Sequence, residues 1–192
     1  DKSVYALNAG SGEQQWQTTL GGALPSKPVV DGDLVYVSSF DGSLHALDLQ
    51  TGEEAWFVEA TDWIWGAPTV ADGVVYFGDI SGGIFAVDAA NGDPLWQANA
   101  DGAVQSSPLV HNGIVYIGSE GDLETGQGLL LAFASEDGSE VWRNTVGQPL
   151  YTTPVVAQDT LIVAYPTNEE LLLEGFSLET GGKQWTIAPP AQ

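Results

Sequence analysis

Short apolar runs alternate with glycine-containing pairs along most of this chain. Residues 26–56 read SKPVV, LVYVSSF, SLHALDL and EEAWFVEA in turn, and Asp31-Gly32, Asp41-Gly42 and Thr51-Gly52 separate these runs. Runs rich in Val, Ile, Tyr and Phe between Asp-Gly or Asn-Gly pairs are the strongest local signal for antiparallel hairpins. The pattern therefore predicts four strands, A to D, in this segment, and its period and glycine density exclude a helical interpretation.

The four-strand pattern recurs, and each copy ends in a tryptophan. Five tryptophans lie about 40 to 46 residues apart, each at the end of a motif that begins with a small residue and contains a central glycine. The motifs are ALNAGSGEQQW, ALDLQTGEEAW, AVDAANGDPLW, AFASEDGSEVW and GFSLETGGKQW, at residues 6–16, 46–56, 86–96, 132–142 and 175–185. Their glycines, which we expect to supply positive φ in the turn between strands C and D, are Gly12, Gly52, Gly92, Gly138 and Gly181.

A unit of about 40 residues with four antiparallel strands cannot cover both of its faces, so neighbouring units must stack. We predict an all-β fold, a β-propeller of four-stranded antiparallel blades. Residues 1–20 would supply strands C and D of a half-blade, and full blades 1 to 4 would follow at about 24–60, 64–100, 104–146 and 150–188. This is about four and a half blades in one propeller segment. A β-helical solenoid is the alternative, although its coils are shorter and parallel.

The five motifs, together with the B strands VYVSS, VYFGD and VYIGS, resemble the pyrroloquinoline-quinone-like (PQQ-like) propeller repeats. Members of that family include quinoprotein alcohol dehydrogenases, non-catalytic outer-membrane assembly lipoproteins of the BamB type and sensor domains of receptor kinases. The resemblance implies a ring with more blades than this chain supplies. We therefore expect either an excerpt of a longer propeller or the association of two copies. It also implies that one set of residues docks neighbouring blades together, namely Trp16, Trp56, Trp96, Trp142 and Trp185.

Charge narrows the range of partners. The chain has 4 Lys+Arg against 26 Asp+Glu, a formal net charge of -22, and 43% hydrophobic residues, as in a folded protein rather than a disordered acidic tail. The scattered basic residues argue against nucleic acid and against an anionic membrane surface. The sequence lacks an apolar run of about 18 residues, so direct membrane insertion is not predicted. The negative field favours cationic or neutral partners and an extracytoplasmic setting, whether periplasmic, cell-surface or secreted.

Function on a repeated scaffold is expected where one copy departs from the others. The loops from strand D to the next strand A share an apolar anchor at Leu24, Ile64, Val104 and Leu150. Because strand A is innermost in propellers, these loops should surround one mouth of the central channel. There we predict a surface for a protein or peptide partner, formed by Pro25, Asp62, Trp63, Trp65, Gln105 and Tyr151. The alternative is that Trp63 and Trp65 only fill space above the blade.

Catalytic and metal sites are not predicted. His45 and His111 lack the spacing that pairs a histidine with a nucleophile, so we expect both to be structural or exposed. Residues 120–128, EGDLETGQG, lengthen the connection between strands B and C, which we expect to be a two-residue turn in the other blades. Their carboxylates suggest Ca²⁺, but the spacing differs from an EF-hand loop, so a solvated acidic loop is predicted.

A fragment of a PQQ-dependent quinoprotein dehydrogenase is the enzymatic alternative. Its quinone is a tricarboxylate, and the resemblance implies basic residues, Ca²⁺ and a nearby catalytic Asp around it. The chain has only 4 Lys+Arg and no cysteine, so PQQ and Ca²⁺ are disfavoured as cofactors. The sequence instead favours a non-enzymatic scaffold of the BamB kind or a ligand-sensing domain. A purely structural or adhesive module is a third class.

The ends of the chain offer little further information. Residues 1 and 2 are Asp-Lys, the chain contains no Met, and the N-terminus does not resemble a signal peptide. We expect either a processed mature form or a piece of a longer protein.

Overall fold

The computed structural model describes residues 1–122, 124–165 and 170–189, and all regular secondary structure in these ranges is β-strand. The strands are β1 (Ser3–Leu7), β2 (Gln14–Thr19), β3 (Val29–Asp31), β4 (Leu34–Ser38), β5 (Ser43–Asp48), β6 (Glu54–Glu59), β7 (Thr69–Ala71), β8 (Val74–Gly78), β9 (Gly83–Asp88), β10 (Pro94–Asn99), β11 (Leu109–His111), β12 (Ile114–Asp122), β13 (Gln127–Ala134), β14 (Glu140–Val146), β15 (Val155–Ala157), β16 (Thr160–Ala164), β17 (Leu173–Ser177) and β18 (Lys183–Ile187). The described part of the chain contains no helix long and apolar enough to cross a membrane.

Each sheet is an antiparallel meander of consecutive strands. The half-blade is the two-stranded sheet β1-β2, and full blades 1 to 4 are the four-stranded sheets β3-β6, β7-β10, β11-β14 and β15-β18. Strands A of successive blades contact one another, β3 with β7 and β7 with β11, as expected of the innermost strands of radial sheets. The predicted all-β propeller of four-stranded blades is confirmed.

The turn between strands A and B has two residues in every full blade. In blades 2 and 3 it is Asp72-Gly73 and Asn112-Gly113, and both residues of each pair have positive φ. The prediction for blade 1 was wrong by one position, because Asp31 pairs with Leu34 inside the ladder and the turn residues are 32 and 33. This shift keeps the two-residue connection, with Gly32 at φ 55°.

The connection between strands B and C also differs from expectation. In blade 1 it spans residues 39–42, so it is a four-residue turn rather than the two-residue turn predicted. In blade 3 the predicted acidic loop is largely an extension of the hairpin, since β12 continues to Asp122, which pairs with Gln127 of β13. Leu123 lies outside the described residues.

The motif tryptophans lie where successive sheets meet. Each pairs across strands C and D with the small residue of its own motif, as Trp56 does with Ala46. Each of the first four indoles also faces the motif glycine of the next sheet: a Cβ built on Gly52 would lie 2.5 Å from Trp16 Cε3, and the same contact joins Gly92 to Trp56, Gly138 to Trp96 and Gly181 to Trp142. Trp185 contacts Gly175 of its own sheet. All five tryptophans are half-buried.

Backbone conformation requires glycine at the five motif positions, and at four of them the packing of an indole requires it as well. Their φ values lie between 67° and 76°, a region that side chains other than glycine rarely adopt. The space above each is filled by an indole, except at Gly12, where no atom lies within 4 Å of the position a Cβ would take. Apolar residues between the sheets form the core, and Tyr36, Phe77 and Ile64 are among its fully buried members.

Candidate functional site

The loop that enters blade 2 is held between two B-to-C turns. The Ile64 N–H donates to the Ser39 carbonyl of the blade 1 turn at 3.4 Å, and the Ile80 N–H of the blade 2 turn donates to the Trp63 carbonyl at 3.0 Å. The same arrangement recurs at the next blade, where the Val104 N–H donates to the Asp79 carbonyl at 3.0 Å. The backbone of these loops is therefore fixed by the repeat.

The apolar anchor of each loop points into the core. Ile64, Val104 and Leu150 are fully buried. Glycines of strand B provide the room, because a Cβ on Gly78 would lie 2.5 Å from Val104 Cγ1, and one on Gly118 would lie 2.8 Å from Leu150 Cβ. The neighbours of a fixed, buried anchor are directed away from the core, and two of these neighbours are Trp63 and Trp65.

Three aromatic side chains, Phe40, Trp63 and Trp65, form what we term the aromatic patch. The ring centroids of Phe40 and Trp63 are 5.2 Å apart with an interplanar angle of 23°, and those of Phe40 and Trp65 are 5.1 Å apart at 44°. Trp63 is 49% exposed and Trp65 is 44% exposed. Sequence analysis missed Phe40, although a signal was present: the corresponding residues in blades 2 and 3 are Ile80 and Glu120.

A buried carboxylate supports the loop that carries this patch. Asp79 is fully buried, and its Oδ2 accepts the Thr61 N–H at 2.9 Å and the Asp62 N–H at 3.1 Å. Its Oδ1 accepts the Ser81 N–H at 3.0 Å and the Gly83 N–H at 2.8 Å. The carboxylate therefore joins the aromatic loop to the B-to-C turn of its own blade. Blades 1 and 3 have serine at this position, in VYVSS and VYIGS, so the aspartate of VYFGD was a readable departure.

The remaining predicted site residues lie in the equivalent loops of other blades. Pro25 is half-buried in the loop that enters blade 1. Gln105 is half-buried, and its Nε2 donates to Glu120 Oε1 at 2.6 Å. Tyr151 is 51% exposed, and partial burial together with the charge of Glu120 raises the pKa of its hydroxyl. The structure thus brings Trp63 and Trp65 together on Phe40, and it places Gln105 and Tyr151 near Glu120.

Two acidic residues, Asp62 and Asp41, adjoin the aromatic patch along the chain. Asp62, half-buried, accepts the Trp63 N–H on Oδ1 at 2.8 Å and the Ser81 hydroxyl on Oδ2 at 3.3 Å. Asp41 follows Phe40, and its side chain is 21% exposed. Burial alone would raise the pKa of Asp41, but hydrogen bonds from His45, Ser39 and the Ser43 N–H hold it below its usual value. Asp41 and Asp62, which we term the acidic edge, therefore adjoin the patch in sequence, and both carboxylates accept hydrogen bonds within the chain.

His45 links that edge to the outer strand of blade 1. Its side chain is 9% exposed, with Nε2 3.2 Å from Asp41 Oδ2 and Nδ1 2.6 Å from Glu54 Oε1. His111 is the last residue of β11, and its Nε2 lies 3.0 Å from Asn112 Nδ2. Both geometries belong to structural contacts.

The described residues are a poor fit to PQQ or to Ca²⁺. Among them, no three His, Asp or Glu side chains are grouped in a way that could hold a metal ion. A tricarboxylate quinone needs available cations, and two of the four basic side chains are already in ion pairs, Arg143 with Asp101 and Glu140, and Lys183 with Glu174 at 3.1 Å. The oxygens of Asp79 are already occupied by backbone donors.

A family model and two proteins of the BamB type are similar to this chain. A family model described as "Outer membrane protein assembly factor BamB" matches residues 1–124 and 80–191. A stretch of 58 residues is 36% identical to the outer membrane protein assembly factor BamB of Shewanella oneidensis, over 30% of this chain and 14% of that protein. BamB from Moraxella catarrhalis superposes with a TM-score of 0.82 at 22% identity, over 97% of this chain and 58% of that one.

Quinoprotein enzymes share the architecture. The quinohemoprotein alcohol dehydrogenase ADHIIG of Pseudomonas putida HK5 superposes with a TM-score of 0.75 at 19% identity, over 89% of this chain and 35% of that one. At such identities the superpositions establish the fold alone. The chain spans less than two thirds of the length of each of these proteins.

Proposed function

Because the chain belongs to the BamB family of PQQ-repeat β-propellers, we propose that it is a non-enzymatic, extracytoplasmic scaffold that binds a protein partner through the aromatic patch. The family model and the Shewanella oneidensis relative both carry the name outer membrane protein assembly factor. That name supports an extracytoplasmic setting and a partner that takes part in outer membrane protein assembly. A ligand-sensing domain would use the same mouth of the channel for a smaller molecule.

The aromatic patch is the observation that carries this proposal. Its two tryptophans are 49% and 44% exposed, and large apolar side chains clustered at a surface typically mark interaction sites. Tryptophan is enriched among the residues that dominate binding energy. Asp79 accepts two hydrogen bonds from this loop and two from the B-to-C connection of its own blade, which holds the loop in place, so little conformational entropy would be lost on binding.

A double substitution tests the proposal against the alternative that the tryptophans only fill space. Trp63→Ala with Trp65→Ala should abolish capture of the partner from an extract of the source cell envelope, while the thermal midpoint falls by only a few degrees. Phe57→Ala is the matched control, because Phe57 is a 53% exposed aromatic residue on the outer strand β6. The captured protein is then purified, and its affinity is measured for the native chain, for the double variant and for Phe57→Ala.

A large loss of stability with unchanged partner affinity would assign the tryptophans to packing and overturn the proposal. Binding that Phe57→Ala weakens as strongly as the double substitution does would move the site to the outer strand. Absence of any discrete partner would favour the structural or adhesive class.

The quinoprotein dehydrogenase is the second candidate, and it rests on the shared propeller of the Pseudomonas enzyme. Titration with PQQ and Ca²⁺ separates the two. A saturable change in quinone absorbance, accompanied by dye reduction with an alcohol, would contradict the non-enzymatic assignment, whereas a linear response would support it.

A further inference from the structure

We propose that the aromatic patch receives an arginine-rich, basic segment of its partner, with guanidinium groups lying over the exposed indole faces. This inference rests on the proposed function, because it specifies the chemistry of the partner at the same surface. It follows from ring geometry, flanking carboxylates and net charge.

The exposed faces of the indoles are suited to cations. Trp63 stacks one face on Phe40 at an interplanar angle of 23° and remains 49% exposed, so its opposite face is open to solvent. Trp65 meets the same phenyl ring at 44° and is 44% exposed. Tryptophan is the best partner for cation–π contacts, and the planar guanidinium of arginine stacks on it more readily than a hydrated ammonium does.

Carboxylates next to the rings select for positive charge. Asp62 precedes Trp63, and Asp41 follows Phe40. The lowered pKa of Asp41 keeps that carboxyl ionised near neutral pH. A neutral apolar segment placed over the patch would remove water from these carboxylates, and the hydrogen bonds that they accept within the chain would offset only part of that cost in free energy. A guanidinium would cover an indole with its face and donate to a carboxylate with its edge.

The net charge of the chain argues against two other occupants of the patch, a second copy of the chain and an anionic lipid surface. The formal charge of -22 repels a second copy of the chain at this surface, and it repels anionic lipid headgroups in the same way. A basic segment is attracted, and electrostatic attraction of this kind raises association rates and responds to salt.

Matched synthetic peptides test the inference on the 192-residue chain. One peptide alternates arginine with glycine and serine, and its twin has citrulline in place of every arginine, which removes the charge and keeps the shape. Isothermal titration should show binding of the arginine peptide, with the citrulline twin roughly tenfold or more weaker. Added salt should weaken the arginine complex and leave the citrulline titration unchanged.

Substitutions locate the binding. Trp63→Ala with Trp65→Ala should weaken the arginine peptide roughly tenfold, and Asp62→Asn should weaken it less while keeping the Oδ1 acceptor for the Trp63 N–H. Phe57→Ala should leave binding unchanged. Non-specific attraction to an acidic protein would instead survive the loss of both tryptophans, and that result would overturn the inference.

The outcomes separate this inference from the proposed function. In one outcome the arginine peptide fails to bind, or binds no better than its citrulline twin, while the captured protein partner still needs Trp63 and Trp65. That result would overturn the inference of a basic partner segment and leave the proposed scaffold function supported. If neither the protein partner nor the arginine peptide needs the two tryptophans for binding, the proposed function and the inference of a basic segment are both wrong. Sedimentation that shows self-association through the patch would also overturn the inference.

Discussion

Trp96 of blade 2 lies against Gly138 of blade 3, so closely that a Cβ built on Gly138 would be 2.6 Å from Trp96 Cδ2. Gly138 has φ 71°, and the same turn of the half-blade has Gly12 at φ 74° with no atom within 4 Å of its Cβ position. The two glycines therefore share a backbone conformation and differ in whether an indole covers them. This difference separates the backbone requirement from the contact between blades.

Gly138→Ala should destabilise the chain more than Gly12→Ala. Each substitution places a side chain in the left-handed region at a cost of about 1 to 2 kcal/mol, and Gly138→Ala adds an overlap with the indole worth about 1 to 3 kcal/mol. Urea denaturation followed by tryptophan fluorescence measures both variants. Equal losses at the two positions would mean that the indole moves aside freely and that the contact does not fix blade spacing.

Trp96 and Trp56 differ in whether the indole N–H has a hydrogen-bond acceptor. Trp96 Nε1 donates to the Ser135 carbonyl at 2.9 Å. The corresponding carbonyl for Trp56 is that of Ala89, but it accepts the Tyr36 hydroxyl at 2.9 Å, and the buried Trp56 Nε1 has no acceptor among the described residues. The Ser135 carbonyl also accepts the Tyr76 hydroxyl, but at the longer distance of 3.5 Å, and the Tyr–Trp centroid distances at the two sites are similar, 5.7 and 5.8 Å.

Trp96→Phe should therefore cost more stability than Trp56→Phe, by about 1 kcal/mol, the usual net value of one hydrogen bond. Both variants lose the same indole packing, so each serves as the control for the other in chemical denaturation. A larger loss at Trp56 would show that its N–H is satisfied in solution by a group that the geometry does not supply.

The repeat was readable from sequence because each of its signals is local. Turn glycines, alternating apolar runs and the final tryptophan each act within a few residues, and together they specify strands and blades. The contacts that build the aromatic patch are between blades. Phe40 reaches Trp63 across such a boundary, so spacing within one motif could not reveal it. Asp79 acts through backbone N–H groups of the preceding loop, and backbone donors leave no mark in a sequence.

The errors have similar causes. The acidic segment of blade 3 was interpreted as a loop from its glycines, but Asp122 pairs with Gln127 and prolongs the hairpin, because cross-strand pairing overrides local turn preference. The turn of blade 1 was displaced by one residue, since Asp31-Gly32 and Gly32-Asp33 are both acceptable turn pairs.

Acid should weaken the chain partly through Asp41. Hydrogen bonds from His45, Ser39 and the Ser43 N–H outweigh the effect of burial and lower the pKa of this carboxyl in the folded state. A lowered pKa contributes stability above the unfolded value of about 4, and that contribution disappears as pH falls through the folded value. The stability advantage of the native chain over Asp41→Asn should therefore hold near neutral pH and shrink as the pH falls below about 5, as measured by urea denaturation. If the difference in unfolding free energy between the native chain and Asp41→Asn stays constant as the pH falls, groups other than Asp41 cause the acid sensitivity.

The sharpest prediction concerns the support beneath the aromatic patch. Asp79→Asn keeps the shape of the side chain but replaces one acceptor oxygen with an NH₂ group, so either the Thr61 and Asp62 donors or the Ser81 and Gly83 donors lose their acceptor. Each buried donor left unsatisfied costs about 1 to 3 kcal/mol. Hydrogen exchange at the Thr61 and Asp62 amides should accelerate well before global unfolding, and the fluorescence of Trp63 and Trp65 should shift as their loop loosens.

Asp48→Asn is the control for this prediction. Asp48 Oδ1 also accepts two backbone N–H groups, from Gln50 at 2.9 Å and Thr51 at 2.7 Å, but these bonds are at the surface, where water can replace them. Its substitution should leave exchange at Thr61 and the fluorescence of the patch unchanged. If Asp79→Asn behaves like Asp48→Asn, the loop is held by the Ile64 and Ile80 backbone bonds alone, and the aspartate at this position has no role in presenting the tryptophans. If Asp79→Asn instead loosens the loop and weakens partner binding without lowering the global unfolding midpoint to the same degree, Asp79 is the positioning residue of the site.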